Sequence, residues 1–104
     1  MYNIGFLLSF VAPVQLLFPL LNSNLIKCEN KFYNVTIPAN NTTVFNVSGF
    51  SGKGTTIACI VNTEYDLIQA NGHMNSGNTF MRVTATNLHT DEQTINVSAI
   101  RLYI

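Results

Sequence analysis

The chain has 104 residues, a charged fraction of 10% and a formal net charge of +0, which leaves room for one domain. Lys27, Lys31, Lys53, Arg82 and Arg101 stand singly, so there is no basic stripe of the kind that meets nucleic-acid phosphate. The same scatter argues against electrostatic docking on DNA, RNA or an anionic membrane surface.

The first element is apolar. Residues 4–21 read IGFLLSFVAPVQLLFPLL, and no side chain from Met1 to Asn24 is charged. An apolar stretch followed by small residues is the form of a secretory signal peptide. Ser23 supplies a small residue for the cut, so 1–23 is read as a cleaved signal and 24–104 as a single secreted domain. No Lys or Arg precedes the run, and Leu21 is large for its place. The rivals are a structured N-terminal element and a retained membrane anchor. Pro13, Gln15 and Pro19 interrupt the run, which falls short of the ~20 apolar residues of a spanning helix. Once the signal is removed, no membrane association is expected.

Cys28 and Cys59 both follow this segment, and an even count in a secreted chain reads as one disulfide. A domain of about 80 residues buries a modest core and gains from a staple. Closing a loop of about 32 residues is worth roughly 3.5–4 kcal/mol on the chain-entropy model. Two buried free thiols are the alternative. No Cys-x-x-Cys occurs, and neither His73 nor His89 has a ligand at metal-binding spacing, so neither a metal nor any other cofactor is expected.

Beyond Cys28 the chain alternates with period two. Tyr33, Val35 and Ile37 oppose Phe32, Asn34 and Thr36. Phe45, Val47 and Gly49 oppose Val44, Asn46 and Ser48. Ile57, Cys59 and Val61 oppose Ala58 and Ile60. Met81, Val83 and Ala85 oppose Arg82, Thr84 and Thr86, and Ile95 and Val97 oppose Asn96 and Ser98. Alternation rich in Val, Ile, Thr and aromatics is the strand signal. Breaks at 38–41, 51–54, 71–72, 75–78 and 87–92 carry Gly, Pro, Asn or Asp, which tolerate turn backbone angles. The expected fold is all-β, an antiparallel sandwich or small barrel of about six strands. At the C-terminal end Ile95 and Val97 share one phase, while Ile100, Leu102 and Ile104 share the other. Either a β-bulge near Ser98-Ala99 or a central strand buried on both faces would reconcile them.

The densest motif is Asn-x-Ser/Thr. Five acceptors fit it: Asn34, Asn40, Asn41, Asn46 and Asn96. Asn40 and Asn41 overlap in a turn, where access is greatest. In the other three the middle residue is Val, and strand residues i and i+2 share a face. The tripeptide is therefore at once a polar-Val-polar strand pattern and a glycan acceptor. Alternation in an Asn- and Thr-rich chain produces some copies by itself. A glycan on Asn34, Asn46 or Asn96 requires that its face be solvated, and it would shield that face from aggregation.

No catalytic pattern emerges. GFSGKGTT, residues 49–56, lacks the Gly-Lys-Ser/Thr ending of a phosphate loop, and reads as a hairpin turn. No Gly-x-Ser-x-Gly occurs, and His73 and His89 sit beside turn residues as solvated loop histidines. Glu29, Glu64, Asp66, Asp91 and Glu92 are the carboxylates from which a glycosidase pair would be drawn, and nothing marks a cleft around them. The chain is read as a non-enzyme. Tyr33, Tyr65 and Tyr103 are read as core, with a contact patch as the alternative.

The C-terminal half, with Ile100-Arg101-Leu102-Tyr103 after Ile95-Asn96, Ile57-Ala58-Cys59-Ile60 leading to Asp66, and Gly77 before Val83, resembles the small insect proteins of the multiprotein bridging factor two family. It departs from that family in a glycine cluster reduced to Gly72 and Gly77. The resemblance implies a secreted protein, while the family name implies a transcriptional coactivator acting in a nucleus. A signal segment, acceptor tripeptides and a disulfide favour the former. The expectation is a secreted, glycosylated binding protein whose partner is an extracellular protein or small ligand.

Overall fold

The computed structural model describes residues 25–104; the expected signal segment at 1–23 lies outside them. Six strands run in order: β1 (Lys27–Ile37), β2 (Thr42–Ser48), β3 (Thr56–Thr63), β4 (Ile68–Met74), β5 (Phe80–Asn87) and β6 (Gln93–Tyr103). They form two three-stranded antiparallel sheets, ordered β1-β6-β3 and β2-β5-β4. The all-β expectation and the strand number hold, and the two-sheet layout is sandwich-like.

The alternation decides which side chains face inward. Ile37, Ile95, Val97 and Ala99 from the first sheet meet Val47, Ile68, Met81, Val83 and Ala85 from the second. Phe45, Val61 and Ala70 touch both groups of buried residues, so the core is continuous. The connections differ from the expected ones. Only β4 and β5 are sequence neighbours in one sheet, so the 51–54 segment is a crossing between sheets and not a hairpin turn. Asn71-Gly72 and His73 lie inside β4, not in a loop. Gly72 is permitted there because Met81 Sδ would stand 2.9 Å from a Cβ. The adjacent strand uses that space instead.

Strand β6 resolves the phase change. It is the central strand of its sheet, and its register with β1 runs unbroken from Lys27↔Tyr103 to Ile37↔Gln93. The expected bulge near Ser98-Ala99 is absent. The irregularity sits in β3 between Thr56 and Ala58. Ile100 and Leu102 are half-buried on the outer side of the sheet, while Ala99 and Arg101 are buried on the inner side.

Asn87 brackets the corner between the sheets. It is 0% exposed, and its Nδ2 donates to the carbonyls of Ile37, Pro38 and Asp91 at 3.1, 3.3 and 3.0 Å. Its Oδ1 accepts from His89 N at 2.9 Å. One buried amide thus satisfies backbone groups from two of the three segments that cross between the sheets at that end, as burial of polar groups requires.

Candidate functional site

The outer face of the β1-β6-β3 sheet carries two different surfaces. Toward one end, polar side chains pair across β1 and β6. Asn34 Nδ2 donates to Asn96 Oδ1 at 2.9 Å, Thr36 Oγ1 and Thr94 Oγ1 lie 2.8 Å apart, and Ser98 Oγ donates to Asn30 Oδ1 at 2.9 Å. Toward the other end the face turns apolar, with Ile60, Ile100, Leu102 and the Cys28 thiol. Phe32, 73% exposed, stands between the two surfaces. An exposed apolar cluster of this kind on a small protein is a recognised mark of a contact surface.

All five acceptor asparagines are exposed. Asn34 and Asn96 are direct register partners on this face. Asn46 lies on the outer face of the other sheet, opposite Arg82, which in turn pairs with His73. Asn40 and Asn41 sit in the turn after β1, where Asn40 takes φ +54° and donates its backbone N–H to His89 O at 3.1 Å. The middle valines point the other way: Val47 and Val97 are buried and Val35 is half-buried.

The expected Cys28–Cys59 bridge is not formed; both thiols are free. Cys28 is opposite Leu102 and Cys59 opposite Arg101, so β6 lies between the two cysteines. Two strand spacings put their Cα atoms about 9.5 Å apart, beyond the reach of a disulfide. Adjacent residues of β6 also face opposite ways. Cys28 is therefore outward and exposed, while Cys59 packs inward on the core.

Residue-by-residue reading of charge missed Arg101, which is 0% exposed. Its Nη1 donates to Glu29 Oε1 at 2.8 Å, its Nε to Thr56 Oγ1 at 2.7 Å, and its Nη2 to the carbonyls of Lys53 and Gly54. The guanidinium also lies 4.1 Å from the Tyr103 ring centroid. Ser51 N and Oγ donate to the same Glu29 carboxylate, at 2.9 and 3.3 Å. Desolvation raises the Glu29 pKa, but the hydrogen bonds from Arg101 and Ser51 and the Arg101 charge outweigh it and hold the carboxyl below its ordinary value. The 51–54 segment thus turns its carbonyls toward a cation. A phosphate loop presents N–H groups instead.

The remaining candidates do not come together. Tyr33 stacks on Phe45 with centroids 5.1 Å apart. Tyr103 covers Arg101, and Tyr65 is exposed in the turn after β3. On the sheet register Tyr33 and Tyr103 lie six residues apart along β6, which is about 20 Å. Glu29 is committed to Arg101, and Glu64, Asp66, Asp91 and Glu92 lie in connecting segments at the opposite end of the sheet. His89 is held through its ring Nε2, 2.7 Å from Asp66 O. An open groove of about 590 Å³ runs along the free edges of β3 and β4, over Cys59, Gly72 and Met74. A smaller and more enclosed pocket of about 180 Å³ lies between His73, Phe80 and Arg82. Among the described residues, no group of three His, Cys, Asp or Glu side chains is placed to hold a metal, and no helix is long and apolar enough to cross a membrane.

No family model matches the chain, and neither a curated protein nor a solved structure does.

Proposed function

We propose that the protein is a secreted, N-glycosylated β protein that acts by binding an extracellular protein or a small ligand, with 1–23 as its cleaved signal segment and no catalytic role. The observation that carries this reading is the sidedness of the acceptor tripeptides. Every acceptor asparagine is exposed, while the valines inside the strand copies face the core. A glycan at any of the five positions would therefore extend into solvent without displacing a core side chain. The surface available for contact is the apolar part of the β1-β6-β3 face around Phe32, Ile60 and Ile100.

A second reading, the nuclear coactivator implied by the resemblance to multiprotein bridging factor two, is favoured by one observation. Both cysteines are free, as expected of a protein in a reducing compartment. The test expresses the full chain with a C-terminal tag in insect cells and compares medium, cytosol and nucleus with and without an N-glycosidase. Product in the medium that migrates faster after the enzyme is expected. An unshifted nuclear product would overturn the secreted reading in favour of the coactivator.

A further inference from the structure

Asn34 and Asn96 differ from the other acceptors in facing each other. They are direct register partners across β1 and β6, and their side-chain amides meet at 2.9 Å. Opposed Cβ atoms in such a pair are about 4.5–5.5 Å apart, and strand side chains stand upright and lean along the strand, not sideways across it. An N-linked sugar is joined through Nδ2, which on Asn34 is the atom that bridges the pair by donating to Asn96 Oδ1. Two sugar rings would have to occupy the space that now holds one hydrogen bond. The neighbouring positions on this face are occupied: Thr36 and Thr94 pair at 2.8 Å on one side, and Phe32 stands opposite Ser98 on the other. Building on the glycosylated reading above, we propose that Asn34 and Asn96 are alternative acceptors, so that the folded protein carries a glycan on one or the other and never on both.

The order of events follows from the same contacts. The hydroxyls that complete the two tripeptides are tied up in the fold, Thr36 to Thr94 and Ser98 to Asn30. The transferase must therefore act before β1 and β6 pair. A chain modified at both positions cannot close that pairing, which aligns Val35 and Ile37 with Ile95 and Val97 in the core, and it drops out of the folded pool. β1 is synthesised first, so Asn34 has longer access and takes the larger share. Asn96 gains occupancy when Asn34 is removed.

The test isolates the pair. Thr42→Val, Thr43→Val and Ser48→Ala silence Asn40, Asn41 and Asn46 without altering Asn40, whose φ of +54° suits asparagine. The protease-resistant protein from the medium is then digested partially with N-glycosidase, and peptide mass spectrometry locates each Asn converted to Asp. One glycan step is expected, shared between Asn34 and Asn96, and Asn34→Gln and Asn96→Gln should each still show one step. Thr36→Val and Ser98→Ala repeat the two single removals without touching the asparagines. Two steps in the protease-resistant protein would overturn the inference, as would loss of all glycan in either single removal. Absence of glycan from the chain with all five acceptors intact would instead sink the glycosylated reading itself, and this inference with it.

Discussion

Truncating Glu29 to Ala leaves Arg101 as a buried cation without its counter-charge. Arg101 is 0% and Glu29 15% exposed, so this is not a surface pair of the kind worth about 0–1 kcal/mol. Breaking a buried pair from one side costs about 3–5 kcal/mol. Three features place the loss at the lower end. Arg101 keeps Thr56 Oγ1 and the Lys53 and Gly54 carbonyls. It also keeps the Tyr103 ring, and water can enter where the partly exposed carboxylate stood. The expected loss is about 3 kcal/mol, which for a domain of this size lowers Tm by about 12 °C or more. Urea unfolding followed by circular dichroism measures it. Arg101→Met should cost less, because the buried charge leaves with it. The double variant should lose about 2 kcal/mol less than the sum of the singles, as contacting residues do in such cycles. A loss below about 1 kcal/mol for Glu29→Ala, with additive singles, would show the pair to be solvated and refute the reasoning.

Acid should weaken the same contact. The folded-state pKa of Glu29 lies below its ordinary value of 4.5. Its stabilisation is therefore complete above that range and lost as pH falls through the lowered value; unfolding series at stepped pH should show an acid slope that Glu29→Gln flattens. Asn87→Ala strips three carbonyls and one N–H of their partner and should cost about 2–3 kcal/mol in urea unfolding. At Gly54, with φ +73°, a Cβ would lie 2.5 Å from Ile104 O, so Gly54→Ala should destabilise by more than about 2 kcal/mol. Gly77→Ala, with no contact closer than 3.4 Å, should cost less than about 1 kcal/mol by the same measurement. Timed alkylation of the native protein should label exposed Cys28 well before inward-facing Cys59, and the two should not crosslink within one chain.

The parts of the fold that sequence reading reached are those where alternation is clean. Met81, Val83 and Ala85, and Ile95 and Val97, are on the inner faces that their phase implies. β4 was missed because Asn71-Gly72-His73 carries turn residues inside a strand. The reason for Gly72 lies in Met81 and Val61 packing over it, a tertiary contact no local pattern records. Arg101 was legible in principle: it shares its phase with Ile95, Val97 and Ala99, so a charge on the core side of a strand was already written there. Its partner was not, because Glu29 lies 72 residues away in the chain. The cysteine count suggested a bridge, but pairing depends on strand order. Only the placement of β6 between β1 and β3 keeps the thiols apart. The acceptor asparagines were found from their tripeptides alone, whereas the facing of Asn34 and Asn96 needs the β1–β6 register.

The central claim is that this chain is exported and glycosylated on solvent-facing asparagines. Its most direct test is the intact mass of the protein recovered from expressing cells, taken before and after N-glycosidase and alkylation. The account predicts a species in the medium that begins near Asn24, loses glycan mass on enzyme treatment and gains two alkyl groups without prior reduction. A full-length, unglycosylated mass recovered only from inside the cell would contradict it.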